Sequence, residues 1–208
     1  VVDGDATSIS TLLANKGADG FISLREAVIA SNNTSGNDTL NLAAGTYTLT
    51  IAGAGEDGSA IGDLDIQTNI TIAGAGMAST IISGGGVDRP IEVDGSGNLT
   101  LADVRLTGGS VNNDGGGLLV EEAGGTATLT RVDITGNTIT GGGRIGGGIH
   151  NVGTLVMTDS LVHGNTATGS DGGGLSNLGT ATLTRSSIYA NSARYGGGVH
   201  QRGGSMTI

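Results

Sequence analysis

The 208 residues include 42 glycines, one proline, no cysteine and 2% aromatics, with 36% hydrophobic residues. This excludes collagen, which needs a three-residue glycine period and abundant proline, and a disordered chain, which lacks that much apolar surface. The net charge of -10, from 9 basic and 19 acidic residues, argues against nucleic acid and anionic membranes as partners, because both are bound through basic patches.

In chain order, the first feature is a capping box, Ser23-Leu24-Arg25-Glu26. The serine hydroxyl and the glutamate carboxylate of such a box each satisfy a free amide at a helix start. It predicts a helix over 24–31, with Leu24, Ala27 and Val28 on the apolar face, ended by the turn cluster Asn32-Asn33-Thr34-Ser35-Gly36. The stretch Asn15 to Glu26 also has the spacing of a helix-flanked calcium loop, with glycine sixth and glutamate twelfth, although Gly17 stands where a ligand belongs. Residues 1–37 are therefore expected to form an N-terminal cap.

From Asp38 onward short alternating segments follow one another: 38–42, 46–51, 64–66, 69–72, 91–93 and 98–101. Alternation marks strands with one buried face. A repeat then becomes plain. A glycine triplet followed by an aliphatic residue starts at Gly115, Gly146, Gly172 and Gly196, at spacings of 31, 26 and 24 residues. After the first three come alternating segments at 126–130, 154–158 and 180–184. Then come an aliphatic residue and, three positions on, an asparagine: Ile134 and Asn137, Val162 and Asn165, Ile188 and Asn191. Units this short hold about three strands and no helix, and cannot bury an apolar face alone, so they must stack.

The predicted fold is all-β: a right-handed single-stranded parallel β-helix of about seven coils over 38–208, closed by the N-terminal helix. Leu106, Ile134, Val162 and Ile188 should form one lumen column. Leu99, Ala127, Leu155 and Ala181 should form a second, and Leu101, Leu129, Met157 and Leu183 a third. Asn137, Asn165 and Asn191 suit an asparagine ladder. Glycine-rich stretches at 53–62, 108–117 and 139–146 are expected to be surface loops. At the C-terminus, Met206 and Ile208 take the lumen positions of Ala181 and Leu183, so the chain is expected to stop inside a strand. That predicts either a longer parent chain or head-to-tail stacking on a neighbour. No apolar run reaches the roughly 18 residues of a membrane span.

Ser23-Leu24-Arg25-Glu26-Ala27-Val28, Gly36-Asn37-Asp38-Thr39-Leu40 and the run 69–76, Asn-Ile-Thr-Ile-Ala-Gly-Ala-Gly, resemble the bacterial surface proteins named for the CSLREA motif. The later glycine-triplet and aliphatic-x-x-Asn repeats resemble those of polymorphic outer-membrane autotransporter passengers. Ile22 replaces the cysteine of the first motif, and Ile134, Val162 and Ile188 replace the phenylalanine of the passenger repeat. The resemblance implies a right-handed β-helix, export, and an extracellular or cell-surface location. It carries no catalytic residues.

Three outward constellations could carry function. Aligning 64–66 with 91–93 and 118–120 places Asp65 over Glu92 and Asp94 over Glu121, with Asp63 nearby and Arg89 as the local cation. Such acids suit calcium, work as a catalytic pair on a polysaccharide, or simply face solvent. Asp103, Arg131, Asp159 and Arg185 alternate in sign on successive coils, which suits a register-fixing charge ladder. Thr126, Thr128, Thr130, Thr154, Thr158, Thr180, Thr182 and Thr184 form outward ranks interrupted by Val156, resembling ice-binding faces. His150 and His200 share a column with Ser176 between them, and His163 lies on another strand, so no histidine metal site is expected. No catalytic residue and no resident cofactor is assigned. The expected function is a non-enzymatic bacterial surface module, such as a stalk, adhesin or filament subunit, with partners among glycans, host or cell surfaces, or copies of itself. The alternatives are a polysaccharide lyase or hydrolase and an ice-binding protein.

Overall fold

The computed structural model describes residues 2–53 and 55–208. Among the described residues two short helices lead into twenty-one strands, and every strand pairing is parallel. The chain is a right-handed parallel β-helix.

Its long sheet has eleven strands: seven stack in the order 37–41, 69–73, 98–107, 126–135, 154–158, 180–184 and 205–207, and 45–48, 80–83, 161–163 and 187–189 pair beside this path. A second sheet holds six: 64–66, 91–93, 118–120, 149–151, 175–177 and 199–201. Seven rungs on one side and six on the other make about six full turns, close to the expected seven coils. The third sheet is made of 110–111, 138–139, 166–171 and 192–195. This corrects the loop expectation: 108–117 and 139–146 are not purely surface excursions, because Ser110–Val111 and Thr138–Ile139 pair in this sheet. Two-residue strands give no alternation to read, which is why they were invisible in the sequence.

The lumen columns stack as the repeats require. Leu99 pairs with Ala127, Ala127 with Leu155, Leu155 with Ala181, and Ala181 with Met206. Leu101, Leu129 and Met157 have no solvent exposure, and neither have Leu106, Ile134 and Val162. Narrow layers of aliphatic side chains fill the lumen, so large rings are not needed. The first glycine of each triplet, Gly115, Gly146, Gly172 and Gly196, has φ between 59° and 80°. Glycine is required there for space as well as for backbone conformation: a Cβ on Gly146 would stand 2.3 Å from the Ile149 carbonyl oxygen.

The cap contains two helices. Helix α1, Ile9–Ala14, starts at Ser8 with its own capping box to Thr11, and helix α2 runs Leu24–Asn32, one residue beyond the expected end. Six residues carry too little periodicity for α1 to be predicted. Leu24 and Val28 of α2 join the apolar core and close the lumen. The Ser23 hydroxyl accepts from the Glu26 amide at 3.2 Å, and Glu26 Oε2 accepts from the Ser23 amide at 2.8 Å. Glu26 Oε1 accepts from the amides of Asp3 and Gly4 at 2.9 and 2.7 Å. Burial opposes its charge, but the amides of Ser23, Gly4 and Asp3 outweigh burial and hold the carboxyl below its usual range. Both oxygens of the twelfth-position glutamate are thus engaged by the cap. The calcium-loop spacing is here the spacing of a helix start.

Candidate functional site

The chemistry-bearing residues gather in three places: a groove on the second sheet, ladders inside the stack, and the outer face of the long sheet.

The groove has a volume of about 350 Å³ and lies over the first three strands of the second sheet. Segments 55–57 and 110–113 line it, with Asp63, Asp88, Arg89, Glu92, Glu121 and Arg144. Asp65 and Glu92 are paired across strands, as expected. Oxygens of Asp63, Asp65 and Glu92 lie within 4.8 Å of one another. The expectation that these acids face solvent is overturned: Asp63, Asp65 and Glu92 are only 4%, 1% and 9% exposed. The 55–62 segment and the cap fold over them.

Asp94 and Glu121 stand outside this cluster. Each follows the last residue of a three-residue strand, where the chain turns away. Asp94 accepts from Gln67 Nε2 at 3.2 Å, and Glu121 sits exposed on the groove wall.

Two buried arginines neutralise the cluster. Arg89 Nη1 is 3.2 Å from Asp63 Oδ2 and also contacts Glu92 Oε2. Arg25, from α2, donates to the carbonyls of Ser59 at 2.6 Å, Asp63 at 2.9 Å, Ile61 at 3.3 Å, and Gly62. Nothing local in the sequence signals the Arg25 contacts, because its partners lie 34 to 38 residues away. The Asp65 carboxylate accepts from the Ser59 amide at 2.5 Å. Burial is the main cause that lifts Asp65 to about 7, reinforced by the charge of Asp63. Burial also lifts Glu92 to about 9, against the pull of Arg89 and helped by Asp63. Asp63 and Asp88 are raised by burial as well. At neutral pH the cluster therefore holds protons instead of full negative charge. A divalent cation there would need those protons displaced and would sit beside the Arg89 guanidinium.

The ladders are polar groups bonded to their own repeats, with Asn151 Oδ1 at the start of the second left without a partner among the described residues. Asn137 Nδ2 donates to Asn165 Oδ1 at 3.0 Å, and Asn165 Nδ2 to Asn191 Oδ1 at 3.0 Å. Backbone amides join them: Gly109 donates to Asn137 at 2.9 Å. A second ladder runs Asn151, Asn177 and Gln201, with Asn151 Nδ2 donating to Asn177 Oδ1 at 2.6 Å and Asn177 Nδ2 to Gln201 Oε1 at 3.1 Å. Its signal was present in the sequence, since each of these residues falls five positions after the first glycine of its triplet.

The charge column closes as two separate pairs. Arg131 Nε donates to Asp103 at 2.7 Å and Arg185 Nε to Asp159 at 2.6 Å. All four residues are left-handed, with φ from 48° to 58°. They mark a bend within the long sheet: Asp103 and Arg131 lie inside the strands 98–107 and 126–135, and Asp159 and Arg185 directly follow 154–158 and 180–184. Asp133, one rung away in register from Arg105, also takes His163 at 3.0 Å. His150 and His200 flank Ser176 in register. Burial lowers the pKa of His150.

On the outer face of the long sheet three columns run up the stack. The first begins Asn37, Asn69, Asn98 and continues Thr126, Thr154, Thr180. The second is Thr39, Thr71, Thr100, Thr128, Val156, Thr182 and Thr207. The third ends in Thr130, Thr158 and Thr184. Among the described residues no helix is long and apolar enough to cross a membrane. Compared with family models, curated proteins and solved structures, the chain finds no match in any of the three.

Proposed function

We propose that this chain is a non-enzymatic structural module of a bacterial surface or extracellular protein: a rigid β-helical spacer or adhesive segment. The supporting observation is where the buried polar groups go. Arg89 contacts Asp63 and Glu92, the Ser59 amide donates to Asp65, and the asparagines bond one another, so most of this interior chemistry serves the stack itself; His150 Nδ1, Ser176 Oγ and Asn151 Oδ1 are left without partners among the described residues. The resemblance to CSLREA-motif proteins and autotransporter passengers supports the surface location and the spacer role.

A polysaccharide lyase or hydrolase is the second reading. In its favour is the walled groove, with a protonated Glu92 beside Asp63 on its floor. Incubation with a panel of neutral and acidic polysaccharides, with and without calcium, separates the two. The spacer reading expects no new reducing ends and no unsaturated products. Turnover that is lost in Glu92→Gln would establish the enzyme instead.

A further inference from the structure

The outer face of the long sheet differs from the groove in three respects. It is neutral: in a chain with 9 basic and 19 acidic residues, its three columns contain only Asn, Thr, Ser, Ala and Val. Its side chains are uncommitted. Among the described residues the one hydrogen bond made by these column side chains is between Ser205 and Thr180 at 3.5 Å. Exposed Asn37, Asn69 and Asn98 do not ladder, unlike buried Asn137 and Asn165 and half-buried Asn191. Its register is unbroken over seven strands, whereas the third sheet slips between Ala167 and Asp171.

We propose that this face binds ice, with the threonine rungs 126–130, 154–158 and 180–184 as the contact. The inference is independent of the spacer reading. Stacked strands repeat hydroxyl and methyl groups about 4.8 Å apart up the stack and about 6.6 Å apart along each strand. The first of these is close to a repeat between water molecules in an ice surface. Hydroxyls with no bond to the protein take waters at those repeats, and the threonine methyls between them leave little freedom for disordered solvent. A charged group would order water around itself and out of the lattice, and the columns have none. A trough of about 280 Å³ lined by Asn37, Asn69, Asn98, Thr71 and Thr100 continues the grid towards the cap, with room for a file of waters. A crystalline sugar is the less fitting partner, because no aromatic ring stands in the columns to stack on it.

The test is thermal hysteresis and inhibition of ice recrystallisation by the full chain, beside Thr128→Lys with Thr182→Lys, and Ser187→Lys as a control on another exposed strand. The expected result is activity in the wild type and the control. The double variant should lose it by an order of magnitude or more, with an unchanged circular-dichroism melt. If the double variant melts early, Thr154→Lys alone carries the same expectation. Absence of activity in the wild type, or its persistence in the folded lysine variants, overturns the proposal. Adsorption to insoluble cellulose or chitin but not to ice overturns it in favour of a carbohydrate surface.

Discussion

The coils from Asn98 onward and the coils before it solve one problem differently. Both must bury polar atoms between stacked rungs. In the later coils the asparagines meet their own kind: buried Asn137 on buried Asn165 on half-buried Asn191, and Asn151 on Asn177. Repetition supplies donor and acceptor together, because an amide offers both. In the earlier coils the residues beneath the cap are carboxylic acids, which cannot ladder when ionised. There the solution is unique: Arg25 from α2 and Arg89 from the corner before 91–93, with protons retained on the acids. Repeated coils tolerate identical neighbours; the coil beneath a cap meets something unlike itself and needs its own chemistry.

The comparison is broken most severely by removing Arg25. Arg25→Met leaves four carbonyls without their buried donor and takes a neighbouring positive charge from Asp63 and Asp65, at an expected cost of about 4 kcal/mol. Because each rung contacts only its neighbours, the loss should be local. Hydrogen exchange should show amides of 64–66 and 91–93 losing protection while those of 154–158 keep theirs. Next in size is Asn165→Ala, which removes the acceptor of the Asn137 amide and side chain and should cost about 2 kcal/mol by denaturant unfolding. Here exchange should quicken in the rungs on either side of Asn165, with the cap unaffected.

The third prediction concerns pH. Asp65 and Glu92 hold their protons more tightly folded than unfolded. Their contribution is therefore complete below the ordinary carboxylate pKa and is lost as pH rises through about 7 and then about 9. Melting temperature should fall from about pH 5 to pH 9, and Glu92→Gln should flatten the upper part of that fall. The smallest effect belongs to the exposed corner pairs. Arg185→Ala should leave the melting temperature unchanged within error at physiological salt, since the pair is exposed and screened.

How far the sequence disclosed all this follows the same division. The lumen columns, the first ladder and the Asp103–Arg131 contact were legible because repetition prints register directly into the spacing. The second ladder is equally legible, at five positions after the first glycine of each triplet. In the acid cluster, the pairing of Asp65 with Glu92 followed from strand alignment, but its burial did not. Burial there comes from the 55–62 segment and from Arg25, long-range contacts that no local pattern encodes. The same limit hid Arg144 on the groove wall. The two-residue strands of the third sheet lie below the length at which alternation means anything.

The most direct test of the account is a side-chain carboxyl titration by carbon-13 NMR, with and without calcium. If the acids beneath the cap serve the stack, Asp65 should titrate near 7 and Glu92 near 9, and calcium should move neither. Titration of both in the ordinary carboxylate range, or their collapse to low values on adding calcium, would contradict it and make the groove an open acidic site.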